Sequence, residues 1–289
     1  MGLVTLHAAP VVLPVCADPV PDGAVAVSGD RILAVGPEAE LEATYAGARL
    51  RRWPGLLLPG LVNAHTHLQY SDFADLADAG LPFPEWIVTL TQRRHGYTAA
   101  RWAESTRRGL HALLSTGTTA CADIVTDAGP LPPTARSGIG GVSYLEVVGV
   151  DDRRWRTTAR ATLLDRLASA AAGRALGVSP HTLYTLGQAA FADCVAVARS
   201  RGLRWHTHVA ETADEVAYVA GGTGPLAATV ARWGLAMDLL DGGCGRTPVG
   251  QLAHLGVLGP DGHVAHGVHV TAADRRLLAG AGTAVALCV

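Results

Sequence analysis

The sequence predicts an α/β protein whose larger part is a TIM-like (β/α)8 barrel without its eighth strand, preceded by a small β-sandwich unit. From Leu56 onward, short apolar runs alternate with runs rich in Ala, Leu and Arg, a pattern typical of parallel strands joined by helices. Seven apolar runs are present, whereas a closed barrel of this kind has eight. A doubly wound open sheet is the alternative, but no glycine-rich phosphate loop follows the first strand of this part.

The predicted domains are residues 1–55, the small β unit, and 56–289, the barrel. The predicted strands of the first domain are 11–15, 24–27 and 32–35, with a turn at 28–31. The predicted strands of the barrel are 56–67, 118–125, 139–148, 175–179, 203–209, 263–270 and 283–289. The amphipathic runs predicted as helices are 99–115, 158–172, 189–201 and 272–281.

The charged residues exclude several classes of function. The chain has 289 residues and a formal net charge of -2, and all 23 of its basic residues are arginine. A nearly neutral chain has no field that attracts phosphate backbones or anionic lipid, so we expect neither nucleic acid nor a membrane as partner. The absence of lysine excludes a Walker A loop, a Schiff base and a carboxylated lysine between two metal ions.

The cysteines and the first residues indicate the compartment. Five scattered cysteines without a C-x-x-C pair indicate neither a disulfide framework nor a thiolate zinc site. The N-terminal residues lack a basic leader and are interrupted by Pro10 and Pro14, which argues against a signal peptide. We therefore expect a cytoplasmic protein.

The first candidate site residues end the most apolar predicted strand, in LLLPGLVNAHTHL. His65 and His67 lie two residues apart, so their side chains project from the same face of the strand. In a barrel, this end of the strand lies at the catalytic rim. Two converging imidazoles suit zinc or iron, with donors roughly 2 Å from the ion. The alternative is a pair of solvated loop histidines.

A second group lies in RWHTHVAE, on the fifth predicted barrel strand. This strand is predicted to end at about Val209, so Glu211 can turn over the barrel mouth. A carboxylate placed there can take a proton from water and pass it to a leaving nitrogen. His206 shares a face with His208 one layer deeper, where we expect a hydrogen-bonded interior residue.

Two further histidines fall at predicted strand ends. His181 follows the fourth strand in SPHTLYT, and His266 lies in the sixth strand in VAHGVHV. Four rim positions with histidine, in chain order, are difficult to attribute to packing, because histidine has only an intermediate preference for burial. His263 is an odd number of residues from His266, so we expect it on the opposite side of the strand.

In their order, these motifs resemble the aminohydrolases, or deaminases, of the amidohydrolase superfamily. The matching segments are PGLVNAHTHLQYS, SPHTLYT, HTHVAE and VAHGVH, and the N-terminal unit resembles the flanking β-sandwich of that family. The missing lysine favours the mononuclear subtype, with one divalent metal ion, zinc or iron. The roles that the resemblance implies are metal ligand for His65, His67 and His208, proton shuttle for Glu211, orientation of metal-bound water for His266, and substrate contact for His181.

The resemblance also implies a residue that this sequence lacks. The family completes its metal site with an Asp after the eighth barrel strand. No residue here matches it, because the sequence ends at Val289 on the seventh predicted strand. We therefore expect the barrel to be incomplete at its C-terminal end.

For function, the resemblance implies hydrolytic deamination of an aminated purine nucleoside by metal-activated water, with release of ammonia. The expected substrate is 6-aminodeoxyfutalosine, an intermediate of menaquinone biosynthesis. The loop LPFPEW, which contains Trp86, can cover a nucleoside, and Arg93 or Arg94 can meet a substrate carboxylate bidentately. A hydrophobic lid or a homodimer contact is the alternative interpretation of this loop.

Two other functions stay open at this point. One is a related aminohydrolase, either an adenosine, S-adenosylhomocysteine or guanine deaminase or a triazine chlorohydrolase, that uses the same metal site. The other, from a different class, is an inactive fragment or binding scaffold, because a metal ligand and a strand are missing. Bound metal and ammonia release distinguish an enzyme from a scaffold.

Overall fold

The structure is a computed structural model that describes residues 3–127, 129–170 and 173–288. The chain divides into two units, Met1–Leu61 and Val62–Val289. No helix among the described residues is long and apolar enough to cross a membrane.

The described residues of the first unit form a five-stranded sheet and one helix. Its elements are β1 (Val4–Val12), β2 (Val20–Ser28), β3 (Arg31–Pro37), α1 (Glu38–Thr44), β4 (Arg49–Arg52) and β5 (Leu56–Leu57). The strands pair in the order β3-β2-β1-β4, and β5 also pairs with β1. The prediction of a strand at 11–15 was wrong, because the strand begins at Val4 and ends before Val15, whose φ of 69° is incompatible with an extended strand. Leu6, Ala26 and Leu41 lie in the core of this unit.

In the part of the second unit that the structure describes, seven strands form a nearly closed α/β barrel. The strands are β6 (Leu61–Thr66), β7 (Thr118–Val125), β8 (Gly140–Val147), β9 (Ala175–Pro180), β10 (Arg204–Val209), β11 (Gly262–His266) and β12 (Ala284–Leu287). They pair in chain order from β6 to β12, and the registers between β7 and β12 are parallel. This confirms the predicted fold class. Parallel order brings the carboxyl ends of all strands to one rim.

Helices connect the barrel strands. They are α2 (Phe83–Arg94), α3 (Ala99–Ser115), α4 (Leu131–Arg136), α5 (Asp152–Arg154), α6 (Arg160–Ser169), α7 (Gln188–Arg199), α8 (Ala213–Gly221), α9 (Gly224–Arg232), α10 (Pro248–His254) and α11 (Ala272–Ala281). The predicted helices at 99–115 and 272–281 match α3 and α11. A π-helical turn, Trp155–Ala159, precedes α6, and residues 171 and 172 of the predicted helix 158–172 lie outside the described residues.

Side-chain caps fix the ends of these helices. Thr271 accepts a hydrogen bond from the amide of Asp274, whose carboxylate accepts one from the amide of Thr271, which forms a capping box at the start of α11. Thr98 caps α3 by accepting a hydrogen bond from the amide of Arg101. Such caps stabilise a helix by about 1 kcal/mol each. They explain why these two helices begin where the sequence predicts.

Two predicted strands end differently from the sequence pattern. The expected strand 56–67 is interrupted, since Leu56 and Leu57 pair with β1 of the first unit and β6 begins at Leu61. Pro59 and Gly60 lie between the two segments and break the ladder. The expected strand 263–270 ends at His266, whose φ of 71° turns the chain out of the extended conformation.

The core of the barrel unit lies between the strands and the helices. Large, fully buried side chains in this core include Phe191 on α7, Trp205 on β10 and Leu226 on α9. Burial of each such side chain stabilises the fold by roughly 1.5–3 kcal/mol. The core holds the strand ends in fixed positions and so provides a rigid frame for the side chains at the rim.

Candidate active site

Three histidine side chains converge at the carboxyl ends of β6 and β10. One ligand nitrogen from each of His65, His67 and His208 lies within 4.8 Å of the other two. The Nε2 atoms of His67 and His208 are 3.0 Å apart. Two nitrogens bound tetrahedrally to one zinc ion, at about 2.0–2.1 Å each, are separated by roughly 3.3 Å. The spacing of the donors therefore fits a single small cation.

Hydrogen bonds from a deeper layer orient these rings. His206 is fully buried, and its Nε2 lies 3.3 Å from Nδ1 of His65. The Nδ1 atom of His208 lies 3.1 Å from the carbonyl oxygen of His181, to which it can donate. Contacts of this kind fix the orientation and tautomer of a ligating histidine. They leave the Nε2 atoms of His65 and His208 available to a metal ion.

The environment keeps the three histidines neutral. Burial, followed by the charges of neighbouring histidines, lowers the pKa of His65 and His208 far below the usual value, and burial lowers the pKa of His67 to about 4. Neutral imidazole is the form that binds metal ions. The Nδ1 atom of His67 is buried without a hydrogen-bond partner in the described part of the chain. The chemistry of this donor set suits a divalent ion such as zinc.

Glu211 and His266 face each other beside the three histidines. Oε1 of Glu211 lies 3.6 Å from Nε2 of His266. Ala210 and His266 have φ angles of 52° and 71°, in a region that costs a non-glycine residue roughly 1–3 kcal/mol. The amides of Gly267 and Val268 donate hydrogen bonds to carbonyls at the end of β10, which holds both turns in place. The fold thus maintains local strain where the two side chains meet.

The proton of this pair belongs to the carboxyl group. Burial, reinforced by the charge of Glu215, raises the pKa of Glu211 to about 8. Burial, together with His181, lowers the pKa of His266 to about 4. At neutral pH a protonated carboxyl group therefore lies next to a neutral imidazole, an arrangement that allows Glu211 to act as a general acid.

His181 lies at the end of β9 with one ring nitrogen directed to a neighbouring carboxylate. Its Nδ1 is 2.9 Å from the hydroxyl of Thr185, and its Nε2 is 3.9 Å from Oε1 of Glu146. Burial and the charge of Arg94 lower the pKa of His181 to about 3. The ring is therefore neutral and presents Nε2 to the space between the strand ends.

A cavity of about 800 Å³ opens over these groups. Phe83 and Trp86 of α2 form part of its wall, with stacked rings whose centroids are 5.9 Å apart. Tyr70, Tyr184 and Trp233 add further aromatic surface. A cavity of this size and lining suits a ligand such as a nucleoside, since small-molecule sites commonly measure about 300–1,000 Å³.

The two neighbouring arginines of α2 are placed differently. Arg94 lines the cavity, with Asp127 at 3.3 Å. Arg93, which the sequence analysis offered as a substrate contact, is not among the described residues that line the cavity, because its guanidinium forms two hydrogen bonds of 2.7 Å with Asp75 outside it. Adjacent positions on a helix point about 100° apart, so the two guanidinium groups take different directions here. The structure assigns the place at the cavity to Arg94.

Sequence reasoning missed two buried glutamates and misplaced one histidine. Glu146 lines the cavity and Glu215 bonds to the backbone beside Glu211. The sequence marks Glu215 through the T-x-x-E pattern that is typical of a helix start. No sequence pattern marks Glu146 within its strand. His263 packs its ring against His206 at 4.8 Å, so the expectation that it faces away from the interior was wrong. The positive φ of His266 breaks the alternation on which that expectation rested.

The comparison with protein families agrees with this geometry. The model of the amidohydrolase family matches residues 56–289. The chain belongs to the amidohydrolase family. The model of an imidazolonepropionase-like composite domain of bacteria matches residues 23–48 of the N-terminal unit.

Three known proteins illustrate the similarity. A 5-methylthioadenosine/S-adenosylhomocysteine deaminase of Nitratidesulfovibrio vulgaris is 31% identical over 92% of this chain and 57% of its own length. An aminodeoxyfutalosine deaminase of Deinococcus radiodurans is 32% identical over 92% of this chain and 64% of its own length. The crystal structure of an adenosine deaminase from Xanthomonas campestris with bound zinc superposes with a TM-score of 0.74 at 24% identity, over 99% of this chain and 63% of that chain. The chain thus spans about three fifths of each.

Proposed function

We propose that this chain hydrolytically deaminates an aminated purine nucleoside. One observation carries the proposal: the carboxyl of Glu211 lies 3.6 Å from Nε2 of His266, beside three converging histidine donors at a cavity of nucleoside size. Two relatives at 31% and 32% identity are named as deaminases of adenosine-type nucleosides, which supports the same reaction class here.

We propose one zinc ion as the cofactor, held by His65, His67 and His208. A catalytic zinc ion needs three protein ligands and an open position, and these three imidazoles can supply the set. When bound, the ion lowers the pKa of a water molecule and so supplies a nucleophile at neutral pH. Iron is the alternative ion, because it also accepts imidazole ligands.

The chain's own residues then move the protons. Glu211 gives its proton to a ring nitrogen of the purine while water attacks the carbon that bears the amino group. The resulting carboxylate takes one proton from the added water and passes it to the amino group, which leaves as ammonia. The carboxylate then takes the second proton of that water, which restores the acid form of Glu211 and leaves the oxopurine. His266 orients the attacking water through Nε2, and His181 contacts the base through Nε2. Water and the aminopurine are consumed, and ammonia and the oxopurine are formed.

For the substrate we propose 6-aminodeoxyfutalosine, which would place the protein in menaquinone biosynthesis. This molecule joins an adenine nucleoside to an aromatic carboxylate. Phe83 and Trp86 offer an aromatic wall for its second ring, and Arg94 offers a guanidinium for its carboxylate. The free state of the five cysteines supports a cytoplasmic location.

Deamination of 5-methylthioadenosine or S-adenosylhomocysteine is the second candidate. The relative of that name is 31% identical, nearly the same as the aminodeoxyfutalosine deaminase at 32%, so identity does not separate the two. Both candidates require the same reaction at the same residues. They differ in what Arg94 and the aromatic wall bind.

Ammonia release from a panel of nucleosides tests the proposal. The purified chain, supplied with zinc, is incubated with 6-aminodeoxyfutalosine, 5-methylthioadenosine, S-adenosylhomocysteine or adenosine. We expect the first to have the highest kcat/KM. The Glu211→Gln variant should retain its metal and lose activity by about 10²–10⁴-fold, because it removes the general acid. A metal-loaded wild-type chain that releases no ammonia from any of the four would contradict the proposed reaction, and a preference for S-adenosylhomocysteine would contradict the proposed substrate.

A further inference from the structure

A buried carboxylate in the cavity has one oxygen without a partner. Glu146 lies near the carboxyl end of β8 and is 4% exposed. Its Oε2 accepts a hydrogen bond of 2.6 Å from the hydroxyl of Thr126. Its Oε1 is buried, and no donor among the described residues reaches it. An unpaired buried oxygen of this kind costs free energy unless a ligand supplies the donor.

The surrounding residues fix this carboxylate in one orientation. The Tyr70 hydroxyl is 3.3 Å from Thr126 Oγ1, so the group that donates to Oε2 is itself held. Arg166 of α6 donates to the carbonyls of Glu146 and Val125, at 2.9 and 3.0 Å, which fastens the ends of two strands together. A preorganised acceptor binds a donor without the entropy cost of ordering itself.

The open oxygen lies close to the proposed reaction centre. Donor atoms of Glu146, His181 and His208 all lie within 4.8 Å of one another. A nucleoside bound with its reacting carbon near His208 can therefore also contact Glu146 through another of its groups. Glu211 lies in contact with His266 instead. The two glutamates thus have different surroundings and can serve different parts of a substrate.

The chemistry of an adenine nucleoside limits which of its groups can meet Glu146. A carboxylate oxygen accepts hydrogen bonds, and the ring nitrogens of adenine are acceptors too. The one donor group on adenine is the 6-amino group, which is attached to the reacting carbon and must face the attacking water and Glu211. The remaining donors are the sugar hydroxyls. Carboxylates bind ribose hydroxyls in the same way in many dinucleotide sites.

We propose that Oε1 of Glu146 accepts a hydrogen bond from a ribose hydroxyl of the substrate and so selects nucleosides over free bases. This inference rests on the proposed function, because it takes an adenine nucleoside as the ligand. Glu146 is then a specificity-determining residue whose effect depends on the sugar and not on the base.

Equilibrium binding tests the contact directly and separates it from turnover. Adenosine, 2′-deoxyadenosine, 3′-deoxyadenosine and free adenine are titrated by calorimetry into the zinc-loaded Glu211→Gln chain, which should bind them without turning them over. With Glu146 present we expect adenosine to bind about tenfold more tightly than one of the two deoxy analogues, which identifies the hydroxyl. Adding Glu146→Gln to this chain replaces the charged acceptor by a weaker neutral one, so the difference should shrink, and adenine should bind as it does when Glu146 is present.

Controls decide among the outcomes. Glu85→Gln makes the same chemical change at an exposed position of α2 and should leave all four affinities unchanged. Glu146→Ala, checked for folding by circular dichroism, removes the acceptor altogether and should abolish the difference between adenosine and the deoxy analogue. If Glu146→Gln weakens adenine as much as adenosine, the contact is to the base and the inference is overturned while the proposed function stands. A zinc-loaded Glu211→Gln chain that binds none of the four compounds overturns both.

Discussion

The carboxylate of Glu215 accepts hydrogen bonds from the backbone amides of Ala210 and Glu211, at 3.0 and 2.9 Å. Glu215 is 1% exposed and lies in the first turn of α8, where the helix N-terminus favours a negative group. Ala210 has a φ of 52°. One buried side chain thus holds both the strained residue and the residue proposed to shuttle protons.

This contact predicts that Glu215 positions Glu211. Replacement of Glu215 with Ala leaves two buried amides unpaired and releases the turn, so kcat should fall by at least about tenfold. KM should change less, because Glu215 is not among the described residues that line the cavity. Steady-state kinetics with the best nucleoside substrate measures both constants.

The pH profile distinguishes positioning from a loss of stability. Burial, reinforced by the charge of Glu215, raises the pKa of Glu211. Glu215→Gln removes the second of these contributions, so it should shift the limb of the kcat/KM profile that reports Glu211 to lower pH. Asp214→Asn, one residue earlier in α8, is the matched control and should shift nothing. A Glu215→Gln enzyme with an unmoved profile and normal kcat would refute the positioning role.

The different placement of Arg93 and Arg94 predicts an asymmetric effect of equivalent substitutions. Arg94→Gln should raise KM for 6-aminodeoxyfutalosine by about tenfold, because a charge-assisted hydrogen bond to the carboxylate is lost. KM for adenosine, which has no carboxylate, should stay the same. Arg93→Gln removes only an exposed pair with Asp75, so both KM values should stay the same. Equal effects of the two variants would show that Arg94 does not bind the carboxylate.

The sequence predicts the barrel and the order of its strands well, because these depend on patterns that many residues share. The strand at Thr118–Val125 and the helices at Ala99–Ser115 and Ala272–Ala281 match the prediction, since apolar periodicity and a cap act together there. Pro59 and Gly60 indicate in the sequence that the strand is interrupted there. The sequence does not indicate that Leu56 and Leu57 pair with β1. Pairing between distant segments leaves no local pattern.

Individual side chains were harder to place, for three physical reasons. His263 was misplaced because parity along a strand holds only while the backbone is extended, and His266 leaves that conformation. The sequence does not distinguish Arg93 from Arg94, because the direction of a side chain depends on how the helix is rotated about its axis. Glu146 was missed because only its burial identifies it as a candidate site residue, and the sequence around a single Glu in a strand does not show that the side chain is buried.

The converging histidines predict metal binding that depends on each of them. His67→Ala removes one of the three nitrogen donors. A site with two donors binds zinc much more weakly than a site with three, so bound zinc should fall from about one ion per chain to well below half. His254→Ala, an exposed histidine at the end of α10, should retain the full content. Atomic absorption on the dialysed proteins provides the measurement. Equal zinc in the two variants would place the ion elsewhere.

Metal binding should also raise the thermal stability of wild type. An ion that binds only the folded chain stabilises it by about 2.7 kcal/mol when its concentration is a hundred times the dissociation constant. Added zinc should therefore raise the Tm of wild type and of His254→Ala, and a chelator should reverse the change. The Tm of His67→Ala should respond far less to either.

Asp123 of β7 predicts a pH dependence of stability that is separate from catalysis. It is fully buried, its Oδ1 accepts a hydrogen bond of 3.0 Å from the amide of Leu68, and its Oδ2 has no partner among the described residues. Burial raises its pKa from 3.8 to about 7. The folded chain therefore retains a proton that the unfolded chain releases at about pH 4.

The sign of the effect follows from this difference in bound protons. The contribution of Asp123 is fully present below about pH 4 and is lost as the pH rises through about 7, because the unfolded state binds fewer protons across that window. A shift of about three pKa units corresponds to roughly 4 kcal/mol at most. Asp123→Asn keeps the acceptor oxygen for Leu68 and cannot ionise, so it should remove this part of the pH dependence.

Urea denaturation of wild type and Asp123→Asn at about pH 5 and about pH 8 measures the change. The free energy of unfolding of wild type should fall more between these values than that of the variant, and this difference isolates Asp123 from other groups that titrate in the same range. Asp165→Asn, at an exposed position of α6, should behave as wild type does. Equal declines in wild type and Asp123→Asn would mean that Asp123 stays ionised in the folded chain, which would require a compensating donor at Oδ2.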